Sequence, residues 1–96
     1  MFVVAARYEA REGKDDEVAA LLRTMLPHAA AEPGCALYTV NRSIEHPRRF
    51  LLYEQYRGEA GYRAHMETAA FKEIILGQVV PLLERRERDF YETVDA

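Results

Sequence analysis

The first apolar run, Phe2-Val3-Val4-Ala5-Ala6, shows no alternation, which predicts a strand over residues 2–8 that is covered on both faces. Glu12-Gly13-Lys14 interrupts it. Asp15, Asp16 and Glu17 then stand where a helix start favours negative charge. Val18, Leu21, Leu22, Met25 and Ala29 follow at helical spacing and predict a helix over 14–31. Pro27 lies inside it and should bend it near its end, because one backbone donor is missing. Pro33-Gly34 stops it.

Residues 35–41 read as a second strand, with Tyr38 and Val40 on one face and Leu37 and Thr39 on the other. Glu45-His46-Pro47 is a turn. Residues 50–56 form a third strand, apolar on both faces through Phe50, Leu51, Leu52 and Tyr53, and pair with the second as a hairpin. After Gly58 the period changes again. Tyr62, His65 and Met66 share a face, so 59–67 is a short helix, and Thr68 can cap another. Phe71, Ile74, Ile75, Val79 and Leu82 continue a helical stripe, with Gly77 and Pro81 as weak points. Residues 86–94 close the chain as a fourth strand carrying Phe90, Tyr91 and Val94.

The order β-α-β-β-α-β predicts an α+β, ferredoxin-like fold, with helices on one face of a four-stranded antiparallel sheet. The other face should still carry Val, Leu, Tyr and Phe side chains. Such a patch calls for a cover, and a second copy of the chain is the simplest one, giving a homodimer.

The totals narrow this picture without changing it. A chain of 96 residues makes one domain, 1–96, of marginal stability on its own. Hydrophobic residues at 49% and charged residues at 30% are an ordinary globular balance. The net charge is −3 and no basic stripe occurs, so no nucleic acid partner is expected. Arg85-Arg86 is flanked by Glu84 and Glu87 and neutralises itself. No apolar run approaches a membrane span or a leader, and Cys35 is the single cysteine, so a cytoplasmic setting and an inert, buried thiol are the expectations.

Motifs for chemistry are sparse. There is no phosphate-binding loop, the only serine, Ser43, lacks a nucleophile context, and His28, His46 and His65 form no ligand spacing, so no metal is expected. What remains is a set of polar groups among apolar ones. His65 lies on the inward stripe of its helix, either as a core histidine satisfied by one hydrogen bond or as a base facing a pocket. Glu54 follows Leu52-Tyr53 in a strand and, if buried, needs a partner such as Arg7 or Arg42. Tyr38, Tyr53, Tyr56 and Tyr62 either pack or line an aromatic cavity.

Several segments in order resemble the antibiotic biosynthesis monooxygenase superfamily. They are Gly13-Lys14 after the first strand, Ala31-Glu32-Pro33-Gly34-Cys35 leading to Tyr38, Arg49-Phe50-Leu51-Leu52-Tyr53-Glu54-Gln55-Tyr56, and Ala64-His65-Met66-Glu67-Thr68 followed by Phe71-Lys72. The resemblance runs over about residues 2–83. It implies a dimeric α+β barrel whose C-terminal strand, here 86–94, is exchanged with the partner.

The resemblance also implies a cofactor-independent, quinol monooxygenase-like activity, with no metal or flavin, on phenolic, quinol or anthrone-type aromatics and O₂. In that reading His65 and Glu54 are catalytic, while Arg7, Tyr38, Asn41, Tyr53, Tyr62, Met66 and Phe71 bind the substrate. An isomerase or cyclase on the same scaffold and a non-catalytic binding dimer are the alternatives. A sheet-side cavity filled by Tyr, Phe and Leu would favour the binding dimer. The haem-degrading branch calls for an Asn, a Trp and an axial His where this chain has Ala6, His65 and Ile75. It has no Trp at all, so haem degradation is disfavoured. Quinol-oxygenase-like members often carry a second histidine where this chain has Ala70.

Overall fold

The computed structural model describes residues 1–96, as β1 (Phe2–Ala10), α1 (Asp15–Arg23), α2 (Met25–Ala30), β2 (Cys35–Arg42), β3 (Arg49–Tyr56), α3 (Glu59–Glu67), a π-wound helix (Phe71–Val79) with a 3₁₀ turn (Val80–Leu82), and β4 (Leu83–Glu92). The strands form one antiparallel sheet in the order β2-β3-β1-β4. This is the ferredoxin-like α+β arrangement that the element order predicts.

Register and pleat sort the side chains into two faces, because residues directly opposite one another share a face. Towards the helices, one row across β2, β3, β1 and β4 is Tyr38, Glu54, Val4 and Phe90. The next is Val40, Leu52, Ala6 and Arg88, and the next is Arg42, Phe50, Tyr8 and Arg86. On the open face the corresponding rows run from Leu37, Gln55, Val3 and Tyr91, through Thr39, Tyr53, Ala5 and Asp89, to Asn41, Leu51, Arg7 and Glu87.

The core lies between the sheet and the helices, where Val18, Leu22, Met25, Ile75 and Val79 from the helices meet Val4, Leu52 and Tyr56 from the strands, all essentially without solvent contact. The open face is less uniformly apolar than the sequence pattern implies. Its Val, Leu and Tyr side chains are there, but Phe50 and Phe90 point to the helix side, and one end is charged.

Three local features depart from the expected elements. The first helix breaks at Thr24, before Pro27. Pro27 cannot donate to Arg23, so the chain tightens a turn early: the Thr24 amide and hydroxyl both donate to the Leu21 carbonyl, at 3.0 and 2.6 Å. The stripe from Phe71 winds as a π-helix, and the Thr68 hydroxyl, just before the helical turn at Ala69 that leads into it, accepts from the Phe71 amide at 3.1 Å. β4 starts at Leu83 rather than Arg86 and ends at Glu92, so residues 93–96 lie outside it.

One close approach sets the depth of α3. A Cβ on Gly34 would lie 2.8 Å from the Gly61 Cα, and one on Gly61 would lie 2.8 Å from the Gly34 carbonyl oxygen. Only two bare backbones fit at that crossing.

Candidate active site

α3 carries His65 inward with 1% of its surface exposed. Its ring is walled by Phe71, Tyr56, Tyr38 and Tyr62, at centroid distances of 5.2, 5.3, 5.6 and 6.2 Å. Nδ1 lies 3.0 Å from each carboxylate oxygen of Glu32. A carboxylate so placed accepts the Nδ1 proton and leaves Nε2 as the ring's reactive nitrogen, an orienting device common to catalytic and metal-bound histidines. Sequence reasoning did not single out Glu32. It stands 33 positions from His65 and reaches it through the Gly34·Gly61 crossing.

Glu54 is the second buried polar group, 4% exposed in the centre of β3. Neither Arg7 nor Arg42 pairs with it. Arg7 is on the other face, bound to Glu87 and Asp89, and Arg42 bridges Asp15 and Asp16 at the rim. Its partner is the Tyr56 hydroxyl, which donates to Oε1 at 2.5 Å. Burial pushes the Glu54 carboxyl up to about 7, although the Tyr56 hydrogen bond pulls the other way. Burial also raises the hydroxyls of Tyr38 and Tyr56 far above the usual phenol range, with Glu54 adding to it. The result is two carboxyls, one imidazole and three phenols in a largely enclosed space, with Glu32 and Tyr38 at its partly exposed edge.

Tyr38, Tyr62 and Phe71 therefore stand around His65, and Met66 packs at the edge of the same cluster. Arg7, Asn41 and Tyr53 do not join them. Strand alternation puts all three on the open face, where Asn41 donates to Thr39 Oγ1 and the Leu51 carbonyl, and the Tyr53 hydroxyl accepts from Gln55. A groove of about 490 Å³ at the charged end of that face includes Arg7 and Asn41 but neither His65 nor Glu54. Cys35 is half-buried rather than buried. Its thiol donates weakly to the Leu37 carbonyl at 3.6 Å, and its pKa is raised by burial and then by Glu32, which suits an inert group.

β4 adds two residues that the sequence reading did not place in the site. Arg86 and Arg88 both point to the helix side. The Arg88 Nη1 donates to the Tyr62 hydroxyl at 2.8 Å, and the Nε of Arg86 is buried without a partner. Arg85 does pair with Glu87, at 3.8 Å, so the self-neutralising run holds for Arg85 and not for Arg86. No group of three or more His, Cys, Asp or Glu residues is arranged to hold a metal ion, and no helix is long and apolar enough to cross a membrane.

Comparison with known proteins places this geometry. The YcnE protein of Bacillus subtilis (strain 168), provisionally named a monooxygenase, is 28% identical over 72 residues, covering 75% of this chain and 76% of its own length. A Nitrosomonas europaea protein, provisionally named an antibiotic biosynthesis monooxygenase, superposes with a TM-score of 0.92 at 25% identity, over 99% of this chain and all of the other. Rv0793 of Mycobacterium tuberculosis gives a TM-score of 0.90 at 26% identity, over 99% and 96% of the two chains. The family profile described as antibiotic biosynthesis monooxygenase matches residues 1–75, from β1 through α3 and into the π-wound helix, and so spans both buried acid–base pairs. The chain belongs to the antibiotic biosynthesis monooxygenase family.

Proposed function

We propose that the protein is a cofactor-independent monooxygenase that oxidises an electron-rich phenolic, quinol or anthrone-type substrate with O₂. The observation that carries this reading is the pairing of Glu32 with His65 beside the Glu54–Tyr56 pair, inside an aromatic wall. His65, oriented by Glu32, takes the acidic proton of the substrate. The resulting anion gives one electron to O₂, and the radical pair combines to a peroxide anion on carbon. Glu54, poised near neutrality, returns a proton to that peroxide. Loss of water then leaves a carbonyl, so CH₂ and O₂ become C=O and H₂O, and the substrate supplies every electron. The rings around His65 keep water from the carbanion.

The open face supports a homodimer built sheet to sheet, since Leu37, Leu51 and Tyr91 are each at least 39% exposed there. The expected exchange of the C-terminal strand does not fit, because β4 pairs with β1 of its own chain throughout, so only residues beyond Glu92 extend towards a partner. A lone, half-buried thiol and this small-molecule chemistry suit a cytoplasmic protein.

The test is oxygen consumption with dithranol and with menadiol, under metal-free conditions. Wild type should exceed the uncatalysed rate, and His65→Ala, checked for folding by circular dichroism, should lose about a hundredfold or more. No uptake with either substrate removes the oxygenase reading. One observation favours the rival binding dimer: tyrosine and phenylalanine rings fill the space around His65. Tight ligand binding without turnover would select it, and turnover without O₂ uptake would select an isomerase or cyclase.

A further inference from the structure

Six arginines of the chain, Arg7, Arg42, Arg48, Arg49, Arg63 and Arg85, have carboxylate partners. Arg86 and Arg88 have none, although both stand on the inner face of β4, two residues apart and beside the core. Arg86 leans over the Tyr8 ring, its guanidinium carbon 5.8 Å from the centroid. Arg88 lies over Phe90 at 5.9 Å, and its only hydrogen-bonding partners are neutral, the Tyr62 hydroxyl and, at 3.8 Å, the Met66 sulfur. Neither guanidinium has a carboxylate within ion-pair distance, although both act on Glu54 from further off; Arg86 is half-buried with an unpartnered Nε, and Arg88 is exposed, so both have donors free for an anion.

Tyr62 stands between this strand and His65. Its ring is stacked on Phe2 at 5.7 Å on one side and on His65 at 6.2 Å on the other. Outside it lies a groove of about 280 Å³ lined by Phe2, Glu59, Tyr62, Arg63, Met66 and Phe90. Arg88 thus ties down the ring that separates an aromatic groove from the buried imidazole.

We infer that Arg86 and Arg88 form an anion seat for an aromatic substrate ionised at oxygen, and that the Arg88–Tyr62 hydrogen bond is the latch that closes it. The inference rests on the helix-side site proposed above and adds its specificity and route of entry. The substrate docks in the groove and its phenolate or carboxylate oxygen takes Arg88 from Tyr62. The released ring swings aside, and the substrate's reacting carbon reaches the imidazole. The substrate's charge thus meets β4 rather than Arg7, Asn41 and Tyr53, which were expected among the substrate-binding residues.

Two probes separate charge from shape: 2-hydroxy-1,4-naphthoquinone, an acidic enol that is anionic at neutral pH, and its O-methyl ether. By titration calorimetry, wild type should bind the anion about tenfold or more tightly than the ether, the value of one charge-assisted hydrogen bond. Arg88→Gln should lose that preference and keep its affinity for the ether, Arg88→Lys should keep part of it, and Arg86→Gln should weaken it. Tyr62→Phe, unlatched, should take up the anion faster in stopped flow.

Equal affinity of wild type for the two probes, binding of neither, or full preference retained in Arg88→Gln overturns the seat. An unchanged uptake rate in Tyr62→Phe overturns the latch. Oxygen uptake measured on the same protein keeps the two proposals apart: anion preference without uptake removes the oxygenase alone, and uptake without anion preference removes the seat alone.

Discussion

The two faces of the sheet carry similar chemical groups and treat them in opposite ways. On the open face, Arg7 meets Glu87 and Asp89, and Arg49 meets Glu9, with the arginines and the β4 carboxylates all exposed by two-fifths or more. Exposed pairs of this kind stabilise little, because water screens them and ordering long side chains costs entropy. On the helix face a single carboxyl, Glu54, is enclosed and answered by one phenol, and burial pushes it up to about 7. Counting charges would rank the open face as the active surface. Counting the water each charge has lost ranks the helix face first, and the altered proton affinities collect there.

The comparison is tested most severely at Glu54. The folded protein holds its proton more tightly than the unfolded chain does, so stability should fall as pH rises from 4.5 to about 7. Glu54→Gln keeps an acceptor for Tyr56 but cannot ionise. It should therefore gain on the order of 3 kcal/mol relative to wild type at pH 8, and little at pH 4. Urea unfolding at the two pH values, at one fixed protein concentration, measures this. The same pH dependence in both proteins would mean that Glu54 is not enclosed.

The open face is tested next through Ala5, which sits between Tyr53 and Asp89. Ala5→Glu would place an unpaired carboxylate in a sheet-to-sheet contact and should raise the dimer dissociation constant about a hundredfold or more. Sedimentation equilibrium should find wild type at twice the chain mass and the variant at one chain mass. A wild type sedimenting as a single chain would leave the open face in water.

The smallest effect belongs to a pair that stays wet in either case, Arg63 with Glu59 one turn away on the outside of α3. Arg63→Ala should cost no more than about 0.5 kcal/mol. A loss well above that, in the same urea experiment, would show that α3 is also covered.

Much of this was legible in the residues. Period and breakers gave the order of the elements along the chain and the span of α3, Glu59–Glu67, because each element there has its own apolar spacing and its own stop. The separation of Tyr53 from Glu54 was legible too, since neighbours in a strand face opposite ways. So was the partner of Glu54: Tyr56, two residues on, shares its face, while the search for a counter-charge led to Arg7 and Arg42 instead. The break at Thr24 follows from Pro27 once the missing donor is traced back four residues. Glu32 was hidden, because nothing local ties it to a histidine 33 positions later. The π-winding after Thr68 was hidden as well: Phe71, Ile75 and Val79 fall on one side in either helical form.

The Gly34·Gly61 crossing has a consequence for how such a site can vary. A side chain at either position collides with the backbone of the other and not with a side chain, so no second substitution at the facing residue can make room for it. Compensating pairs, the usual route by which contacts drift during evolution or in a mutant library, are closed here. Variation in what the site accepts must come from the rings and cations around it, because the crossing between the Glu32 turn and the His65 helix leaves no room for a side chain on either backbone.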